Sequence, residues 1–124
     1  MRFALVCVLA VFVTLSCARS NSIALAQDDS GRSIATSVGD EIVVSLEGNP
    51  TTGFDWAVVG PIAPVLEQID RTFTPQSSAL GAGGTVRYRF RTAAAGTTTL
   101  TLVYSRSFES VPPQRTFTVT VVAK

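Results

Sequence analysis

Six consecutive residues, Asn49-Pro50-Thr51-Thr52-Gly53-Phe54, bring a side-chain amide, two hydroxyls and an aromatic ring together without a charge. Pro50 fixes its own φ and biases Asn49 toward extended geometry, while Gly53 can take the positive φ that reverses a chain sharply. Both threonines are β-branched, so their hydroxyls occupy few rotamers. A segment with few conformations loses little entropy on docking, which suits insertion into a partner's cleft. Asn-Pro and Thr-Gly are also ordinary turn chemistry, so the hexapeptide takes its meaning from its neighbours.

Two further segments offer binding groups. Gly81-Ala82-Gly83-Gly84 would let a partner approach the backbone and use its N–H and C=O groups, or would simply be a flexible connection. Arg106-Ser107-Phe108 precedes Pro112-Pro113 and carries a guanidinium and an aromatic ring, both favoured as interface anchors.

Catalysis has little to work with. The chain contains no histidine, which removes Ser-His and Cys-His pairs and the usual zinc ligands. Its two cysteines, Cys7 and Cys17, both fall in an N-terminal targeting segment, leaving the body of the chain without a disulfide, a nucleophilic thiol or a thiolate ligand. Asp55, Glu67 and Asp70 are scattered, and Asp28-Asp29 reads as solvated charge. The expectation is a protein that binds and does not catalyse, with no cofactor and no metal.

Charge narrows the partner. From Gln27 onward eight basic residues face nine acidic ones, so no long-range field draws the protein to nucleic acid or an anionic membrane. Arg87, Arg89 and Arg91 do alternate onto one strand face, a stripe that could meet a polyanion or form the solvent face opposite Val86, Tyr88 and Phe90.

The N-terminus reads as an export signal. Arg2 is followed by an apolar run from Phe3 to Leu15, too short to span a bilayer. Two cleavage readings stand side by side. Ala24-Leu25-Ala26 before Gln27 fits the small-x-small rule, giving a signal segment over 1–26. Thr14-Leu15-Ser16-Cys17 is similar to a lipoprotein box in which Cys17 would be lipidated, with 18–37 as a polar tether. Membrane association would then come only through that anchor. On either reading the protein is exported, to a periplasmic or extracellular location, and the folded domain spans 38–124.

The elements that must position these segments are strands. Period-two alternation places Ile42, Val44 and Leu46 on one face, then Phe54, Trp56 and Val58, then Val86, Tyr88 and Phe90. Leu100, Leu102 and Tyr104 follow, opposed by Thr97, Thr99 and Thr101; Phe117, Val119 and Val121 are opposed by Thr116, Thr118 and Thr120. With a strand over Val65 to Thr74 and another around Ser33 to Val38, the expectation is an all-β, immunoglobulin-like sandwich of about six to seven antiparallel strands without a disulfide. In such a sandwich alternate connections share an end. Gly48 to Gly53, Gln76 to Gly84 and Ser105 to Pro113 would therefore lie together, and Gly60 to Pro64 and Ala93 to Gly96 at the other end.

Together the three segments resemble the loops of the chagasin family of cysteine-protease inhibitors. Asn49 to Phe54 matches the family's NPTTG[FY] loop, Gly81 to Gly84 matches its GxGG loop, and Arg106-Ser107-Phe108 keeps part of its Arg-Pro-Trp loop. The resemblance covers the chain from about Val38 to Lys124. It implies inhibition of papain-like, cathepsin-L-type cysteine proteases. Asn49, Pro50, Thr51, Thr52, Gly53 and Phe54 would enter the active-site cleft, flanked by Gly81, Ala82, Gly83 and Gly84 on one side and Arg106, Ser107 and Phe108 on the other. Ser107 lacks proline's fixed φ and Phe108 lacks an indole N–H, which implies a less preorganised third loop. The alternative is a non-inhibitory surface module that binds carbohydrate or an envelope protein through the same loop end.

Overall fold

The computed structural model describes residues 21–106 and 112–124. Eight strands form: β1 (Ser22–Leu25), β2 (Ser33–Thr36), β3 (Glu41–Gly48), β4 (Phe54–Val59), β5 (Leu66–Pro75), β6 (Gly84–Thr92), β7 (Gly96–Arg106) and β8 (Arg115–Ala123). They make two four-stranded sheets, in the orders β1-β3-β6-β5 and β2-β8-β7-β4. Of the alternating side chains expected to point inward, Ile42, Val44, Leu46, Trp56, Val86, Tyr88, Phe90, Leu100, Leu102, Tyr104, Phe117, Val119 and Val121 are buried between the sheets, and Phe54 and Val58 are half-buried against them. Each large apolar side chain buried here contributes about 1.5–3 kcal/mol. No cysteine lies between residue 21 and the C-terminus, so this packing holds the fold without a disulfide.

The strand inventory corrects the expectation in two ways. Among the described residues there are eight strands, and two pairings are parallel: β1 runs alongside β3, with Ser22 opposite Glu41 and Leu25 opposite Val44, and β2 runs alongside β8. The stretch assigned to a polar tether also belongs to the sandwich from Asn21 onward. β1, a 3₁₀ turn at Gln27–Asp29 and β2 occupy it, and the folded body begins well before residue 38. The physical reason is edge pairing. β3 and β8 would otherwise each expose a row of backbone groups, and a short flanking strand satisfies them while placing Leu25 and Thr36 in the interior. The turn is pinned across to β8 by the Gly31 N–H donating to the Thr118 carbonyl at 2.6 Å and the Thr118 N–H donating to Ser30 Oγ at 3.1 Å.

From β3 to β8 every pairing is antiparallel. The chain therefore turns at alternating ends, and the connections after β3, β5 and β7 share one end.

Candidate functional site

The first loop is a 3₁₀ turn over Pro50–Thr52 between β3 and β4. Asn49 is its N-cap, its Oδ1 accepting the Thr51 N–H at 3.2 Å. Gly53 closes the turn at φ +83°, where a β-carbon would be strained, and donates its N–H to the Pro50 carbonyl at 3.1 Å. Thr51, Thr52 and Gly53 are exposed at the tip.

Asn49 does more than cap. Its Nδ2 donates to the Gly81 carbonyl at 2.9 Å, tying the first loop to the second, and its backbone N–H donates to the Tyr104 hydroxyl at 3.0 Å. On the other flank Arg106 Nε donates to the Thr52 carbonyl at 3.2 Å, and its guanidinium lies over the Phe54 ring, 4.4 Å from the centroid. Asn49, Gly81, Thr52, Phe54 and Arg106 are therefore one connected unit, and the first two segments share an end with Arg106 of the third. Ser107 and Phe108 lie outside the described residues.

The threonine hydroxyls are partly committed. Thr51 Oγ1 donates to Asn49 Oδ1 at 2.5 Å, and Thr52 Oγ1 donates to the Asn49 carbonyl at 2.7 Å. Their hydrogens are used within the loop, and Thr52 Oγ1 also accepts the Phe54 N–H at 3.4 Å, which leaves the lone pairs of Thr51 Oγ1 and one on Thr52 Oγ1 for a partner. The tip is thus an acceptor surface, suited to donors such as a protonated imidazole or an indole N–H.

The glycines of the second loop divide the same way. Gly81 takes φ +76° and offers its carbonyl to Asn49. Gly84 is buried at the start of β6, where an added β-carbon would lie 2.2 Å from the Thr74 carbonyl oxygen. Its missing side chain lets β5 and β6 close at the loop base. Gln76 and Gly83 complete that closure with a 3.0 Å backbone bond. Sequence reasoning missed Leu80, which stands fully exposed beside Gly81. A bulky apolar residue in a Ser-, Ala- and Gly-rich loop was the available signal.

Beneath the loops lies an aromatic base. Phe54 and Tyr104 stack at 5.5 Å, Trp56 tilts against Tyr104 at 5.2 Å, and Trp56 Nε1 donates to the Glu47 carbonyl at 2.9 Å. The Tyr88 hydroxyl donates to the Trp56 carbonyl at 2.6 Å across the two sheets, and burial raises its phenol's pKa. A loop standing on this base is held by packing as well as by its own turn.

Two arginines of the stripe, by contrast, are neutralised in place. Arg89 contacts Glu41 at 2.7 Å and Asp70 at 2.6 Å, and Arg91 meets Glu67 at 3.2 Å. Hydrogen bonding from Arg89 holds the Glu41 carboxyl below its ordinary pKa, and the same bond, with that to Asp70, makes Arg89 still harder to deprotonate. Arg71 is bonded to Asp55. This face does not offer a polyanion a continuous positive strip. Among the described residues no group of three acids, cysteines or histidines is placed to hold a metal.

Residues 35–121 match the model described as Chagasin family peptidase inhibitor I42. The chain belongs to the chagasin family. It is 36% identical over 81 residues to chagasin of Trypanosoma cruzi, covering 61% of this chain and 74% of that protein. Among solved structures it is similar to the cysteine protease inhibitor EhICP2 of Entamoeba histolytica, with a TM-score of 0.77 and 25% identity over 86% of this chain and 98% of the other. PbICP-C, solved in complex with falcipain-2, shares the fold at a TM-score of 0.55 and 19% identity, over 86% of this chain and 92% of the other. As a chagasin-family protein the chain is an inhibitor of cysteine proteases and not an enzyme.

Proposed function

We propose that this inhibitor blocks papain-like cysteine proteases of the cathepsin-L type by inserting the Asn49 to Phe54 loop into the active-site cleft, with Gly81 to Gly84 and Arg106 to Phe108 gripping its sides. The observation that carries this reading is the cross-bracing of the loops by Asn49 and Arg106. A prearranged wedge loses little entropy on docking. Its tip presents threonine acceptors and no carboxylate, so it can sit near a thiolate-imidazolium pair without desolvating a charge of its own. Leu80 adds an apolar group at the rim for a hydrophobic subsite. Because Asn49 and Arg106 hold the turn from both flanks, no carbonyl in it need reach attack geometry, and the loop occupies the enzyme without being cut.

Export completes the proposal, supported by Arg2 and the apolar run from Phe3 to Leu15. The inhibitor would then meet its proteases in the periplasm or outside the cell. The test is titration of the purified protein against papain and a cathepsin-L-type enzyme with a fluorogenic peptide. Competitive inhibition below micromolar concentration is expected; full activity at micromolar inhibitor would remove this enzyme class and leave a carbohydrate- or protein-binding surface module as the working reading.

A further inference from the structure

We propose that the export leader is cut upstream of Ser22, so that the mature inhibitor keeps β1 and leaves its N-terminal attachment at the end of the sandwich opposite the wedge. This inference rests on the export reading above and decides between its two cleavage sites. Ala24-Leu25-Ala26 satisfies the small-x-small pattern, yet a cut after Ala26 would discard a strand that the fold uses. Leu25 is buried in the core at 6% exposure, and Ile23 packs against that core. The four residues of β1 pair with Glu41, Ile42, Val43 and Val44. Without β1, the first half of β3 becomes a bare edge beside a gap in the core. The Asn21 N–H also donates to Asp40 Oδ1 at 3.2 Å, and the Asn21 carbonyl accepts from the Glu41 N–H at 2.9 Å. The remaining reading, a cut before Cys17, leaves all of these in place.

Direction follows from the parallel pairing. β3 runs from Glu41 toward the wedge at Asn49, and β1 runs with it, so the chain enters the sandwich beside Glu41. At ~3.3 Å per residue, the eight residues of β3 put that entry about 25 Å from the wedge. Ala18 to Ser20 can span only about 14 Å from a lipid on Cys17 to Asn21. The body would be held close to the membrane with its inhibitory loops facing away, toward soluble proteases.

The experiment uses the full chain expressed in a bacterium with lipoprotein processing, followed by fractionation, intact mass and melting of the mature protein. The expected product begins at Cys17 and carries the mass of its lipid. A chain beginning at Gln27 overturns the proposal while leaving export intact. A cytoplasmic chain with its leader uncut overturns export and this inference with it. Leu25→Ser supplies a second reading, because a residue discarded with the leader cannot alter the mature protein. With β1 retained, the variant melts lower by roughly 10 °C; an unchanged melting temperature contradicts the proposal.

Discussion

The outer face of β3, β6 and β5 and the loop end at Asn49 share one scaffold, yet they use their polar groups in opposite ways. On the sheet face Arg89 is enclosed by Glu41 and Asp70, and Arg91 faces Glu67. The charges there are spent on one another at the surface, where each pair contributes little to stability. At the loop end the polar groups are also bonded internally, through Asn49 to Gly81 and through Arg106 to Thr52, but both threonine hydroxyls give up their hydrogens within the loop and keep lone pairs at an exposed tip. In the charged region Arg89 and Arg91 are paired within the sheet face. The uncharged turn is the one we propose meets the protease.

The sharpest way to break this contrast is to alter both regions and compare inhibition. Replacing Thr51 and Thr52 together with glutamate should raise the inhibition constant by at least about 100-fold, close to 3 kcal/mol, since two carboxylates would have to be desolvated in the cleft. Arg87→Ala, on the sheet face, should leave the constant unchanged. Comparable losses from both would mean the wrong region has been assigned.

Gly84→Ala separates folding from recognition. Its β-carbon would collide with the β5 backbone, so a cost of about 3 kcal/mol and a melting temperature lower by roughly 12 °C are expected. If the melt is unchanged while inhibition falls, Gly84 serves the partner and not the hairpin.

Asn49→Ala removes the side-chain bonds to Gly81 and Thr51. Inhibition should weaken by about tenfold with the fold intact, mainly because the loops must be ordered on docking. Loss of stability with undiminished inhibition would show that preorganisation by Asn49 is irrelevant.

The smallest effect concerns the sheet face in acid. Arg89 depresses the Glu41 pKa, so the folded protein releases that proton more readily than the unfolded chain. The resulting stability is complete above the ordinary glutamate value of 4.5 and drains away as pH falls from there through the depressed folded value. Glu41→Gln should flatten the melting temperature between pH 5 and pH 3 slightly relative to the unaltered protein, a difference readable by calorimetry. An identical pH profile would count against the pairing.

Much of the sandwich was legible because its central strands are amphipathic. Ile42-Val44-Leu46 or Phe117-Val119-Val121 can only be half-buried strands, and the antiparallel run from β3 to β8 then forces the three loops to one end. β1 was not legible: Ser22 to Leu25 is four residues long, its parallel partner lies in β3, and Ala24-Leu25-Ala26 imitates a processing site. β2 was glimpsed around Ser33 to Val38, but its pairing with β8 is a long-range fact that no local pattern carries. Within the site, the loop residues were readable and their bonding was not. That Asn49 reaches Gly81, or that Gly84 must lack a side chain because Thr74 lies against it, depends on segments brought together only by the fold.

Hydrogen–deuterium exchange on the inhibitor, alone and bound to a papain-like protease whose catalytic cysteine has been replaced by alanine, tests the wedge most directly. Slowed exchange should appear in the peptides covering residues 49–54 and 80–84 while those covering Arg87 to Arg91 remain unchanged. Protection confined to the sheet face, with the Asn49 loop exchanging as in the free protein, would contradict the account.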